Sequence, residues 1–141
     1  RYCAQLHGVP KADIAAAVTL AETRCGLIEV SERLIGNLSK GYQQRIGIAQ
    51  AIVHNTYVII LDEPTVGLDP LQIIEIRNLI RELGQAHGVI FSTHILSEVQ
   101  ELCTDVLMIR QGEIVLKARI AELPAEKSLE ALFIDLMQVQ Q

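Results

Sequence analysis

The sequence predicts an α/β fold with a parallel sheet, and three stretches carry that prediction. Tyr57-Val58-Ile59-Ile60-Leu61 is an unbroken apolar run that ends in Asp62-Glu63-Pro64. Val89-Ile90-Phe91-Ser92 is a second, shorter run ending at Thr93-His94. Between them Asp69-Pro70 opens a helical pattern with Leu71, Ile74, Leu79, Ile80 and Leu83 as its apolar face, the aspartate as N-cap and the proline at the first helical position. Strand, helix, strand in this rhythm is a βαβ unit, with a right-handed crossover and both strands parallel in one sheet. A continuous apolar run, rather than an alternating one, implies a strand covered on both faces. The ligand crevice of such sheets lies off the strands' carboxyl ends. Asp62, Glu63 and His94 are therefore expected at one sheet edge.

Composition narrows the function classes. With 141 residues, half of them apolar, the chain makes at most one globular domain. Its net charge of −5 is unevenly divided: residues 1–50 carry six basic and four acidic side chains (+2), residues 51–141 six basic and thirteen acidic (−7). That balance argues against a nucleic-acid surface in the second part. Cys3, Cys25 and Cys103 lack metal-ligand spacing, so reduced core thiols in a cytosolic compartment are expected. No apolar run approaches the ~20 residues of a membrane span.

From the start of the chain, Pro10 to Cys25 is an amphipathic helix with Ile14, Ala17, Val18 and Ala21 on one stripe and Gly26 as its stop. Residues 27–38 read as a connector with a helical turn, marked by Gly36-Asn37. Leu38-Ser39-Lys40-Gly41-Tyr42-Gln43-Gln44-Arg45 then leads into a helix carrying Ile46, Ile48, Ala49, Ala51, Ile52 and Val53, with Ser39 as N-cap. Such an end offers unpaired N–H groups and the positive end of the helix dipole, and Gly41 lets a phosphate come close. A capped helix with no ligand is the ordinary alternative. The carboxylate pair is equally open to two readings. Asp62 and Glu63 point to opposite faces and can reach a metal's water shell and an attacking water, or they can merely solubilise a strand end.

A helix from Leu96 to about Cys103 follows His94. Val106-Leu107-Met108-Ile109 and Ile114-Val115-Leu116 form a hairpin through a two-residue turn containing Gly112. Ser128 to about Gln138 closes the chain as a helix faced by Leu129, Leu132, Phe133 and Leu136.

Taken together these motifs resemble those of the ABC transporter ATP-binding domains. Leu38-Ser39-Lys40-Gly41 resembles the signature, Val58–Glu63 the Walker B strand with its glutamate, Gly67-Leu68-Asp69 the D-loop and Thr93-His94 the switch histidine. The spacings agree as well: Asp62 lies 21 residues after Gly41, Asp69 seven after Asp62, and His94 thirty-two after Asp62. Lys40 stands where glycine is usual and Tyr42 where glutamine is usual, a Ser-Lys-Gly-Tyr form similar to that of ABC-2-type exporter subunits. The resemblance covers nearly the whole chain, but no Gly-x-x-x-x-Gly-Lys-Ser/Thr phosphate loop is present.

The resemblance implies a partial P-loop NTPase fold, the C-terminal portion of the domain lacking Walker A. Residues 1–54 would form part of the helical subdomain and residues 55–141 the C-terminal part of the ATPase core. The implied cofactors are ATP and Mg²⁺. Asp62 would hold Mg²⁺ through water, Glu63 would polarise the attacking water, and His94 would contact the γ-phosphate. Ser39 and Gly41 would bind the γ-phosphate held by an opposite domain, with Asp69 at the dimer seam. The implied partners are integral membrane permease subunits and a second nucleotide-binding domain, on the cytoplasmic face of the membrane. A soluble ABC ATPase without a transporter and a nonenzymatic remnant that only binds partners are the alternatives.

Overall fold

Six helices and four strands are present among the described residues, 1–123 and 129–138, of the computed structural model. They fall into two units, Arg1–Ser92 and Thr93–Gln141. In the first, helix α1 (Tyr2–Leu6) and helix α2 (Ile14–Arg24) precede two single 3₁₀ turns at Ile28–Val30 and Ile35–Asn37, the expected connector. Helix α2 starts later than Pro10, because residues 11–13 form a turn closed by Asp13 N–H on the Pro10 carbonyl (2.8 Å). Of its stripe, Ile14 and Ala21 are buried and Ala17 and Val18 half-buried.

Helix α3 (Lys40–Ile52) begins at Ser39 as expected, with the Tyr42 N–H donating to Ser39 Oγ at 3.4 Å. Helix α4 (Pro70–Leu83) is capped the same way, by Gln72 N–H on Asp69 Oδ1 at 2.9 Å. Its buried face differs from the expected one. Ile76, Leu79, Ile80 and Leu83 point inward, an i, i+3, i+4, i+7 stripe, whereas Leu71 and Ile74 fall off that stripe and are exposed.

Strand β1 (Val58–Asp62) pairs parallel with strand β2 (Gly88–Ser92), in a register that runs from Val58 opposite Gly88 to Asp62 opposite Ser92. The βαβ reading therefore holds, but the expectation of a strand covered on both faces does not. Ile59 and Leu61 are buried, while Val58, Ile60 and Ile90 are exposed, Ile60 by 74%. The run is apolar on both sides, yet among the described residues only one side is packed.

His87 fastens the start of the sheet. Its Nδ1 lies 2.6 Å from the Thr56 carbonyl, which can only accept, and its Nε2 lies 3.2 Å from the Arg24 guanidinium, which can only donate. Those two partners select the neutral Nδ1–H tautomer. Thus the C-terminal end of α2, the residues before β1 and the residue before β2 meet at one imidazole.

The second unit is described by itself. Helix α5 (Leu96–Leu102), strand β3 (Asp105–Arg110), strand β4 (Glu113–Arg119) and helix α6 (Leu129–Gln138) enclose a small core of Val99, Val106, Met108 and Leu129. Strands β3 and β4 form the expected antiparallel hairpin. Gln111 (φ 51°) and Gly112 (φ 85°) both take positive φ, as a two-residue type I′ turn requires. Ser128, the expected first residue of α6, lies outside the described residues. No helix among the described residues is long and apolar enough to cross a membrane.

All three cysteines are free thiols, but only Cys25 is a core residue. Burial pushes its thiol up to about 11 against the opposing pull of Arg24 and Arg45. The fold therefore holds a proton that the unfolded chain releases near pH 9, so this contribution to stability is intact below pH 9 and is lost as pH rises toward 11. At pH 8 an aromatic disulfide reagent should modify Cys3 and Cys103 and spare Cys25 until denaturant is added. Modification of all three thiols in the folded chain would contradict this burial.

Candidate functional site

Strand β1 stops at Asp62 because the next two residues cannot extend it. Glu63 adopts a left-handed backbone (φ 45°) and Pro64 has no N–H to donate to a ladder. A turn follows, closed by the Val66 N–H on the Glu63 carbonyl at 3.2 Å. A non-glycine residue in the left-handed region costs about 1–3 kcal/mol and persists only where its surroundings hold it. Ser92 is one such restraint. Its Oγ accepts the Glu63 N–H at 3.0 Å while its hydroxyl donates to Asp62 Oδ1. One serine at the end of β2 thus joins both acidic residues at the end of β1.

Asp62 is exposed and Glu63 half-buried. The Asp62 carboxylate has one oxygen engaged by Ser92 and a second open to a cation's water shell. Among the described residues no group of three His, Cys, Asp or Glu side chains could enclose a metal. A lone carboxylate at a strand end fits Mg²⁺, which keeps several waters and takes its remaining ligands from phosphates, and does not fit a metal that needs a closed protein cage.

The second cluster lies where the N-termini of α3 and α4 converge. Ser39, Gly41, Tyr42, Arg45, Asp69, Leu71, Gln72 and Glu75 line an open hollow of about 400 Å³. Three residues singled out from the sequence, Ser39, Gly41 and Asp69, are therefore brought together. The hollow is braced by Arg45, whose Nη2 pairs with Glu75 Oε2 at 2.6 Å and whose Nη1 donates to the Cys25 carbonyl at 3.2 Å. At position 41 a Cβ would lie 2.8 Å from Cδ of Gln72, the movable end of that side chain, so a larger residue there displaces Gln72 rather than the backbone. Gly67 (φ 71°), in the loop before Asp69, is favoured by its backbone, and the flexible Lys40 side chain rests against it with Nζ where a Cβ would stand. Lys40, the departure from the usual signature, thus reaches from α3 to the loop that carries Asp69.

His94 lies in the second unit and is exposed. The preceding Thr93 Oγ1 donates to the fully buried Glu98 at 2.8 Å and accepts the Ile95 N–H at 3.0 Å. The backbone on either side of His94 is fixed by that one hydroxyl. Sequence reasoning missed Ser92, Gln72, Arg45 and Glu98. Of these only Ser92 carried a readable signal, since aligning Val58 with Gly88 places it opposite Asp62.

Residues 6–66 match the ABC transporter family. The chain is 34% identical to the ABC transporter ATP-binding protein NatA of Bacillus subtilis over 94% of its own length and 54% of that protein. It is 42% identical to the bacitracin transport ATP-binding protein BcrA of Bacillus licheniformis over 64% of its length and 30% of BcrA. The fold superposes on cbiO1 from Clostridium perfringens, part of the ABC transporter complex cbiONQ, with a TM-score of 0.74 and 30% identity, covering 91% of this chain and 51% of that one. The chain spans between 30% and 54% of the length of these curated relatives.

The crowding at Gly41 has a measurable consequence. Gly41→Ala gains up to about 1 kcal/mol of helix propensity, offset in part by displacement of the Gln72 side chain. By denaturant titration it should be more favourable in a Gln72→Ala background than in the wild-type background. Equal effects in both backgrounds would show that Gln72 is not the obstacle.

Proposed function

The chain belongs to the ABC transporter ATP-binding family, and from that premise we propose that it is part of the ATP-binding, ATP-hydrolysing subunit that powers a membrane transporter. The hollow shared by Ser39, Gly41 and Asp69 supports this reading best. Two helix N-termini open onto it from one surface, a geometry suited to the γ-phosphate of a nucleotide carried by a facing domain. Ser39 and Gly41 serve as that contact and Asp69 stands at the seam between the two nucleotide-binding domains.

In the same reading the end of β1 serves the chain's own nucleotide. Asp62 would hold Mg²⁺, Glu63 draws a proton from the attacking water, and His94 stabilises charge on the γ-phosphate in the transition state. The metal, when bound, would supply neutralisation of phosphate charge. NatA and BcrA are both named as transporter ATP-binding proteins, which supports permease subunits as partners and a position on the cytoplasmic face of the membrane. The cargo is then set by the permease. With no phosphate loop in its sequence, the 141-residue chain alone turns over no ATP, because nothing in it cradles the β- and γ-phosphates.

Two substitutions in the complete transporter test these roles. Glu63→Gln should leave ATP binding intact and lower turnover by about 10²–10⁴-fold, the usual worth of a positioned base. Near-normal hydrolysis by that variant would remove Glu63 from the role. Ser39→Arg should spare nucleotide binding to the single domain and block ATP-dependent pairing of two domains, read by sedimentation. Equal loss of binding to the single domain would place Ser39 in a different site.

A further inference from the structure

Both acidic residues at the end of β1 depend on a side chain from the neighbouring strand. The parallel register sets Ser92 opposite Asp62. From there its Oγ takes the Glu63 N–H at 3.0 Å and gives its own proton to Asp62 Oδ1. Each contact constrains something different. The first holds the amide of a residue in the left-handed region (φ 45°) that glutamate does not favour. The second fixes the rotation of the Asp62 carboxylate about its last torsion, which is otherwise broad.

We propose that Ser92 is a positioning residue for hydrolysis: through a single hydroxyl it sets the backbone from which Glu63 projects and the plane of the Asp62 carboxylate. The inference rests on the hydrolytic reading of the carboxylate pair given above. Ser92 reaches no reacting atom itself. It aligns the general base and the magnesium-binding carboxylate with each other, so that neither is adjusted independently. A hydroxyl is required because only a group that both donates and accepts can satisfy a carboxylate and an N–H together. Alanine offers neither function, whereas threonine offers both and adds a methyl group that suits a strand.

The test uses Ser92→Ala and Ser92→Thr in the complete transporter. Four quantities are read: kcat, the ATP dissociation constant, the Mg²⁺ concentration for half-maximal turnover, and hydrogen exchange at the Glu63 amide. Ser92→Ala should lower kcat by about tenfold or more, the usual loss when the partner that orients a ligand is removed. It should also raise the Mg²⁺ requirement, leave the ATP dissociation constant within about twofold, and speed exchange at Glu63. Ser92→Thr should restore kcat, the Mg²⁺ requirement and the exchange rate. Unchanged kcat and exchange in Ser92→Ala would overturn the proposal. A threonine variant as impaired as the alanine variant would also overturn it, since packing rather than the hydroxyl would then be responsible. Absence of ATPase activity in the wild-type protein would refute the hydrolytic reading, and the proposed role with it. Exchange at Glu63 would still report separately whether the serine holds that backbone.

Discussion

The parallel pairing of β1 with β2 is the constraint from which the candidate site follows. Side chains on a strand alternate with a period of two, so a slip of one residue would move Ser92 away from Asp62 and exchange the packed and open faces of the slipped strand. The register is fastened at the end remote from the site. His87 bridges the Thr56 carbonyl and the Arg24 guanidinium, and the next N–H along, that of Gly88, donates to the Tyr57 carbonyl at 2.9 Å. Counted from that anchor, Ser92 arrives opposite Asp62 four residues later. An imidazole buried at one end of the sheet therefore fixes a serine and a carboxylate at the other.

A comparable economy governs the second cluster. Arg45 sits one turn into α3, yet it contacts the C-terminal cap of α2 through the Cys25 carbonyl and α4 through Glu75. The ion pair is partly exposed, and such pairs contribute little by themselves, about 0–1 kcal/mol. Its importance is geometric, because it sets the distance between two helices whose N-termini open on the same hollow. The glycines nearby follow from that closeness. Gly26 (φ 63°) lies under the Arg45 guanidinium, Gly41 under Gln72 and Gly67 under Lys40. A small residue near a phosphate-binding motif is readily assigned to phosphate approach. Here the movable ends of three long polar side chains lie against the three glycines, and a positive φ favours glycine at positions 26 and 67 without any ligand.

Local chemistry was the part of this structure legible in the sequence. Ser39 and Asp69 cap helices because an oxygen three residues before an unpaired N–H is a short-range arrangement, and Gln111-Gly112 turns the hairpin for the same kind of reason. The order of motifs was legible too, and it was enough for the family. Packing was not. The apolar run of β1 implied cover on both faces, but a side chain's hydrophobicity does not say whether its covering element lies within these residues. Leu71 and Ile74 are as apolar as Leu79 and Ile80, and only the rotation of α4 about its axis, set by its neighbours, leaves the first two in water. The partner of Thr93, Glu98, lies beyond sequence patterning because a hydroxyl-to-carboxylate bond leaves no periodic trace, whereas that of Asp62 follows once the strand register is known.

The open face of the β1–β2 sheet and the carboxylate site are one surface. Alternation puts Val58, Ile60 and Asp62 on the same side of β1, and Gly88, Ile90 and Ser92 on the same side of β2. Anything that covers Ile60 and Ile90 must also border the Asp62–Ser92 hydrogen bond. That adjacency bears on the chemistry, since the interaction of two unit charges 4 Å apart rises from about 1 kcal/mol in water to about 4 kcal/mol in the surroundings of a protein surface. Fixed dipoles and carboxylates act strongly in catalysis only where water is excluded. With its apolar face open, the chain holds the carboxylate pair in place but leaves Asp62 in a solvent that weakens it. Cover over β1 and β2 would therefore complete the sheet's packing and strengthen the site's electrostatics at the same time, because the strand that carries the apolar side chains also ends in the carboxylate.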